Sequence, residues 1–413
     1  MGWRNSPAQR VYSLLTQKGV RAGINTALDL WARRRLSVPK DVDSEFNWIL
    51  SPNRPAVLPP PTAGPLRINW ILPEIVRGSG GLFNIFRTIF EFEKWNHQNR
   101  IYVVSKSPET IKQAIDIARN DYFPITSPIE ILEDTVLDSD ATIATSWETA
   151  YSVRSIPNTA RKFYFVQDFE PYFFAKGSLS EFSAQTYQWD FYGLTAGQWI
   201  GSVLQKEFQM DSSAFSFSYD RSQYAPLPAP NSTHRKKRVL FYARPRTERR
   251  GFELGILALK LVAQKLPDTE FVLVGFPTGS VKLPFAAQVI GVLDVSKLGD
   301  LYRSCDVALV LSHTNASLLP LELMACGCAV VSNAGPNVEW LINNKIAALA
   351  PPTPEALSEA VAQLLNDDHL RSSITSAALE FVAQTDWTHE ARAVEAGIYK
   401  GLGLSAMQSL HHE

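Results

Sequence analysis

Cysteine is scarce: Cys305, Cys326 and Cys328 are the only three in 413 residues. An odd, sparse set embedded in apolar strand-like or helix-like context excludes a disulfide framework and fits a reducing compartment. Cys326 and Cys328 lack the His and acid partners of a metal site, so no structural metal is expected. Long apolar runs are also missing. No stretch is apolar enough to span a bilayer, and the N-terminus has no uninterrupted signal-peptide core, so the body is expected in the cytoplasm. Nor does one sign of charge dominate: Lys+Arg number 40 and Asp+Glu 41, for a formal net charge of −1. That balance gives no reason to expect a nucleic-acid partner.

Apolar content is ample, at 45% of residues, enough for two cores of ordinary domain size. Strand-like and helix-like segments alternate up to a polar, proline-bearing connector, Ala225 to His234, and the alternation restarts at Val239. The expected fold class is therefore α/β with two Rossmann-like domains, residues 67–230 and 231–384, followed by a C-terminal helical segment, 385–413. Trp387 in that last segment is expected as a packing anchor.

Residues 1–66 stand apart as a basic arm and linker. From Met1 to Lys40 there are eight Lys or Arg (Arg4, Arg10, Lys18, Arg21, Arg33, Arg34, Arg35, Lys40) against Asp29 alone, and Pro55 to Pro65 is proline-rich. The partly amphipathic stretch from Ile24 to Arg35 could rest on an anionic membrane surface. It could equally pack as a helical arm on its own protein or on a partner subunit, which leaves a homodimer open.

Four motifs carry chemistry. A β-type run, Arg238 to Ala243, leads into the loop Arg244-Pro245-Arg246-Thr247-Glu248-Arg249-Arg250-Gly251, and a helical pattern follows from Phe252. Loop guanidiniums next to a helix start can hold a phosphate through forked, charge-assisted bonds. A second unit runs from a strand-like Cys305 to Ser312 into a helix with Pro320 in its first turn and Glu322 behind it, ending near Gly327. A carboxylate there is favoured by the helix dipole, and it can accept hydrogen bonds from ribose or sugar hydroxyls. Third, Gly78, Gly80 and Gly81 lie between the strand-like Arg67 to Pro73 and the helical Phe83 to Phe92, where backbone can approach a ligand closely. Fourth, the apolar Lys162 to Val166 stops abruptly at Gln167 and Asp168, and ligands of open α/β sheets gather beyond the carboxyl ends of strands.

Together these residues resemble glycosyltransferase family 4. Arg244 and Arg249 match the family's Arg-x4-Lys/Arg pair, Gly291 to Leu298 resembles its base-proximal segment, and Leu301 to Val307 resembles its Leu-Tyr-x2-Ala-Asp-Val run. Glu322 matches the second glutamate of the Glu-x7-Glu motif, whereas the first is replaced by Asn315. The "FVQDFEP" run, Phe165 to Pro171, is similar to the subset that includes WsaF-like bacterial rhamnosyltransferases.

The resemblance implies a GT-B fold with the two domains facing a central cleft and the last helix crossing back to the first domain. It implies a metal-independent, retaining enzyme that takes a sugar from a nucleotide diphosphate, foremost L-rhamnose from dTDP-β-L-rhamnose, to a growing surface-polysaccharide glycan on an acceptor that is lipid-linked or free. Arg244, Arg249 and Lys297 would hold the donor diphosphate. Val292, Leu293, Asn315 and Glu322 would meet its nucleoside or sugar, and Gln167 and Asp168 would position the acceptor or reacting sugar. No Asp-x-Asp pair near a strand end offers an obvious divalent-metal holder, so cations of the protein would neutralise the leaving phosphate and no cofactor is expected. Another UDP- or GDP-hexose donor, a nucleotide-sugar epimerase, or an inactive binding relative remain as alternatives.

Overall fold

The computed structural model describes residues 41–62, 64–104, 108–226, 236–279 and 281–404. The basic stretch before Asp41 and residues 227–235 of the connector lie outside them. The chain divides after Leu50 into two units. In the first, a helical turn, Val42–Phe46, is capped by Asp41, whose carboxylate accepts from the amides of Asp43 and Ser44.

The second unit contains two parallel sheets. The first comprises β1 (Arg67–Leu72), β2 (Gln98–Val103), β3 (Ile129–Ile131), β4 (Ser139–Ala144), β5 (Thr159–Val166), β6 (Tyr192–Ala196) and β7 (Ser212–Phe215), in the order β3-β2-β1-β4-β5-β6-β7. The second comprises β8 (Arg238–Tyr242), β9 (Glu270–Val274), β10 (Gln288–Gly291), β11 (Val307–Val310), β12 (Ala329–Asn333) and β13 (Ala348–Ala350), in the order β10-β9-β8-β11-β12-β13. Each sheet reverses its winding at its first strand. Ligand crevices are therefore placed beyond the carboxyl ends of β1 and β4 and of β8 and β11. Every residue of β4, β6, β11 and β12 is buried, as expected for parallel strands covered on both faces; β11 reads as an apolar run, whereas β4 buries Ser139, Asp140 and Thr142.

Local chemistry sets the helices that aim residues at those crevices. Helix α1 (Gly80–Lys94) starts where the Ser79 hydroxyl accepts from the Leu82 amide. Helix α2 (Trp147–Arg154) opens with a reciprocal Ser146–Thr149 capping box. Helix α3 (Ser178–Gln185) packs on the turn Glu170–Phe173 and on α2, and α4 (Gln198–Phe208) packs on β6 and β7. Helix α5 (Phe252–Lys265) begins at Gly251, whose φ of 59° favours glycine. Helix α6 (Leu319–Ala325) carries Pro320 in its first turn.

The last helix, α7 (Trp387–Gly401), packs on β5, β6, β7 and α1 and so returns to the first sheet. Glycine makes this approach feasible: a Cβ on Gly401 would lie 2.4 Å from Phe163 Cε1, and one on Gly397 2.8 Å from Leu194 Cδ2. Trp387 is buried, with the Arg87 guanidinium 5.7 Å from its ring. Deeper in, His97 accepts from the Leu66 amide at Nδ1, so its Nε2 donates to Glu395 at 2.8 Å. Burial opposes charge on Glu395, but the bonds from His97 and Arg392 outweigh it and hold the carboxyl below its ordinary range.

The proline-rich stretch differs from the expected spacer. The amides of Arg54, Val57 and Leu58 donate to the carbonyls of Arg154, Pro157 and Thr159, and Lys162 Nζ donates to the carbonyls of Arg54 (2.5 Å) and Arg154 (2.6 Å). Burial pushes Lys162 down to about 8. Prolines stop a segment from forming a full ladder, yet the amides between them remain free to pair.

Candidate active site

The glycine loop and the end of β5 meet directly. Gln167 Nε2 donates to the Gly81 carbonyl at 3.1 Å, and Asn84 Nδ2 donates to Gln167 Oε1 at 2.8 Å. A Cβ on Gly81 would come within 3.2 Å of that same amide, whereas one on Gly78 or Gly80 would meet nothing within 4 Å. Gly78 and Gly80 thus border open space, while Gly81 is pinned. The Gln167 side chain holds α1 against β5, which gives it a scaffolding role rather than the substrate-positioning one expected from sequence.

Asp168 is met by residues of the second domain. Its Oδ2 accepts from Thr314 Oγ1 at 3.0 Å and lies 3.5 Å from Arg249 Nε and 3.9 Å from Arg250 Nη2. Oδ1 accepts from the Phe169 amide. Burial raises the Asp168 carboxyl above its ordinary range, against the pull of Arg250 and Arg249. Burial also lowers Arg249, and it brings Arg250 down to about 10. The Arg249 guanidinium lies 4.0 Å from the Phe173 ring centroid, a stacking contact that restricts its fork. Arg250, next to the expected pair, turns inward: Nη1 donates to Ser312 Oγ (2.7 Å) and to the Asn315 carbonyl (3.1 Å).

Asn315 corrects the expectation of a sugar contact. It is fully buried, and its Nδ2 donates to the carbonyls of Gln167 and Ala196, each at 2.9 Å, while its Oδ1 accepts from Trp340 Nε1 at 2.7 Å. Both amide hydrogens are engaged, so none is left for a sugar. Trp340 lies over Gly197, where a Cβ would fall 2.4 Å from the indole. Asn315, Trp340, Arg250 and Asp168 therefore fasten the two domains at the cleft floor. Sequence reading missed Arg250, Thr314, Trp340 and Asn84. The doubled arginine at 249–250 was the one signal available, and it does not say which of the two points inward.

The remaining candidates lie nearer the solvent. Arg244 is exposed, with Nη2 3.4 Å from the Tyr242 hydroxyl and its guanidinium 5.0 Å from that ring. No carboxylate lies within ion-pair distance of it among the described residues. Glu322 is half-buried in the first turn of α6. Burial raises it to about 7, against a hydrogen bond from Tyr224 and the charge of Arg244. Tyr224 stacks on Tyr302 at 5.8 Å, so the last segment of the first domain reaches Glu322. Val292 (75% exposed), Leu293 and the exposed Lys297 follow β10, an edge strand two places from β8.

Two Asp-x-Asp pairs do occur in the chain. Asp41 and Asp43 belong to the first unit, and Asp138-Ser139-Asp140 lies at the amino end of β4, away from the carboxyl-end crevices. There Asp140 is bound by the Arg67 guanidinium at 2.7 Å. Among the described residues no group of three His, Cys, Asp or Glu is arranged to hold a metal ion, and no helix is long and apolar enough to cross a membrane.

Two Rossmann-like sheets wound in the same order, with cationic loops of one facing the β5 end of the other, define the GT-B class. More narrowly, residues 237–362 match the family described as WsaF, C-terminal domain. The chain is 31% identical over 340 residues to the O-antigen biosynthesis protein RfbC of Myxococcus xanthus, a match covering 80% of this chain and 26% of the relative. It is 27% identical over 203 residues to the phosphatidyl-myo-inositol mannosyltransferase of Mycolicibacterium smegmatis, covering 45% and 53%. The chain thus matches about a quarter and about half of the lengths of these curated relatives. Among solved structures, Anabaena Alr3699/HepE in complex with UDP-glucose superimposes with a TM-score of 0.59 at 15% identity, over 82% of this chain and 99% of that one.

Proposed function

We propose that this chain is a glycosyltransferase of surface-polysaccharide or O-antigen assembly, which moves a sugar from a nucleotide diphosphate to a glycan acceptor. The observation that carries this reading is the loop after β8, where Arg244 and Arg249 lie at the switch point of the second sheet with Asp168 of the first sheet beside Arg249. Three guanidiniums, Arg244, Arg249 and Arg250, stand against Asp168, while the two other carboxyls near them, Glu170 beside Arg249 and Glu322 beside Arg244, are pushed by burial to about 8 and about 7. The remaining positive charge suits a diphosphate. The name of the Myxococcus relative and the WsaF-type domain support the polysaccharide context.

The finer reading is a metal-independent transfer with retention from dTDP-β-L-rhamnose. The bond from the sugar C1 to the diphosphate oxygen breaks as the acceptor oxygen bonds C1 from the same face, and the acceptor proton passes to the departing phosphate. Arg244 and Arg249 would stabilise the charge developing on that phosphate, and Glu322 would take the donor ribose. An Asn315 held by backbone carbonyls leaves one polar contact fewer for the sugar, which suits a deoxysugar. The acceptor would bind against the first domain, with the basic residues 1–40 bringing the enzyme to a lipid-linked glycan at the cytoplasmic membrane face.

A donor screen by calorimetry with dTDP-, UDP- and GDP-sugars, followed by turnover on glycan acceptors in excess EDTA, tests the scheme. Rhamnosyl transfer with a β-linked product is expected, and an α-linked product would overturn retention. Turnover of UDP-glucose or GDP-mannose alone would overturn the donor, loss of activity in EDTA restored by manganese would overturn the charge scheme, and epimerised donor without transfer would overturn the reaction.

A further inference from the structure

The turn that follows Asp168 carries more aromatic surface than the diphosphate site uses. Of the rings around the short helical turn Glu170–Phe173, Phe173 lies beneath Arg249. Phe169, Tyr172, Phe174 and, from the end of α4, Phe208 instead line a cavity of about 300 Å³ that also takes in Lys176 and Glu207. Tyr172 is 59% exposed and is held edge-on against Phe169 at 4.7 Å. Phe169 in turn stacks on the buried Tyr187 at 5.8 Å, so the cavity has a rigid wall and one accessible ring.

We propose that this cavity is a saccharide subsite that grips a pyranose ring of the acceptor glycan beside the sugar that receives the transfer. The inference rests on the glycosyl-transfer reading above and extends it to the acceptor. A pyranose presents an apolar C–H face and a rim of hydroxyls. The electron-rich faces of Tyr172 and its neighbours suit the first, while Lys176 and Glu207, of opposite charge, offer a donor and an acceptor for the second. A prenyl or acyl chain would offer no polar contact to Glu207 or to the exposed Lys176–Glu181 ion pair (2.5 Å) at the cavity rim. Position supports the same occupant, because Phe169 is the residue after Asp168, and the turn that carries Tyr172 also carries the Phe173 ring under Arg249. A glycan whose end lies at the reacting centre has its next sugars at this turn.

The test uses the full-length chain without donor. Saturation-transfer difference NMR is recorded with methyl α-L-rhamnopyranoside, methyl α-D-glucopyranoside and methyl α-D-mannopyranoside, on the wild type and on Tyr172→Ala and Tyr172→Phe. Because the Tyr172 ring is largely exposed, both variants should keep the wild-type melting temperature. At least one glycoside should bind the wild type through its C–H face, with affinity reduced about fivefold to tenfold by Tyr172→Ala and retained by Tyr172→Phe. Equal binding by the alanine variant, or no saturation with any of the three glycosides, would overturn the subsite. So would a Tyr172→Ala defect seen only in binding to phosphatidylglycerol vesicles, which would mark an apolar-chain site. Calorimetry with dTDP-rhamnose and UDP-glucose on the same samples judges the donor reading separately, since Tyr172→Ala should leave donor affinity unchanged.

Discussion

The floor and the rim of the cleft are built from the same residue types in opposite conditions. On the floor, Asp168, Arg250, Asn315 and Trp340 bond one another or the facing domain's backbone. At the rim, Arg244 is exposed with a single long contact to Tyr242, and Glu322 is held near neutrality in its pKa. Polar groups already engaged in a buried network resist substitution because each lost partner leaves another unsatisfied. Those left at the rim are available to a ligand. The difference teaches that a family motif marks a place in the fold, while the availability of its side chain depends on what the other domain brings.

The largest effect expected from breaking the comparison is at Arg250. Arg250→Ala removes the bonds to Ser312 and the Asn315 carbonyl and leaves Asp168 with one arginine fewer. Loss of one partner of a buried charge pair costs about 3 to 5 kcal/mol, so denaturant unfolding should show a large drop in midpoint. An unchanged midpoint would mean that Arg250 belongs to the rim.

Asn315 sharpens the contrast, because it is the residue expected to contact the sugar, although the Glu-x7-Glu spacing counted back from Glu322 falls on Thr314. Were position 315 a sugar contact, Asn315→Glu would widen donor choice and leave the fold alone. The structure instead turns that carboxylate toward the carbonyls of Gln167 and Ala196, both acceptors. A loss of about 2 to 4 kcal/mol is expected, together with a larger radius of gyration by X-ray scattering as the domains separate. A stable variant with new hexose turnover would restore the sugar-contact reading.

These two positions also show where sequence reading stops. The sheets were legible because buried parallel strands are apolar runs punctuated by glycine and proline: β1, β5 and β8 and the starts of α5 and α6 fall where those signals place them. The strand expected from Cys305 to Ser312 is shorter, Val307–Val310, since Ser312 already bonds across the sheet to Asn333. The partners of Asn315 were not legible, for Gln167 is 148 residues away in sequence. Nor was the attachment of the proline-rich segment, which rests on main-chain amides and on Lys162 Nζ reaching the Arg54 carbonyl, 108 residues away in sequence.

At the rim, Arg244→Ala should act on the ligand and not on the fold. Its guanidinium makes one 3.4 Å contact with Tyr242, so the melting temperature should stay close to wild type. Loss of one charge-assisted phosphate bond, about 1.5 to 3 kcal/mol, should weaken donor use roughly tenfold to more than a hundredfold. Normal donor affinity and turnover in Arg244→Ala would remove the rim from the phosphate site.

The smallest effect concerns Glu170, a floor-side carboxyl two residues beyond Asp168. Its Oε2 accepts from the Trp147 amide at 2.6 Å and from the Tyr164 hydroxyl at 2.9 Å, yet burial, with Glu148 nearby, raises it to about 8. The unfolded chain releases this proton near the ordinary carboxylate range, so the folded state binds more protons between that range and about pH 8. The stability linked to the proton is fully present below the unfolded pKa and is lost as pH rises through the folded one. Melting temperature should therefore decline from about pH 5 toward pH 8 and level off above it, by a few degrees. Glu170→Gln keeps an oxygen to accept both bonds but has no proton to release, so its melting curve should be flatter over the same window. A wild type and variant that lose stability in parallel between pH 5 and 8 would assign the titration to another group.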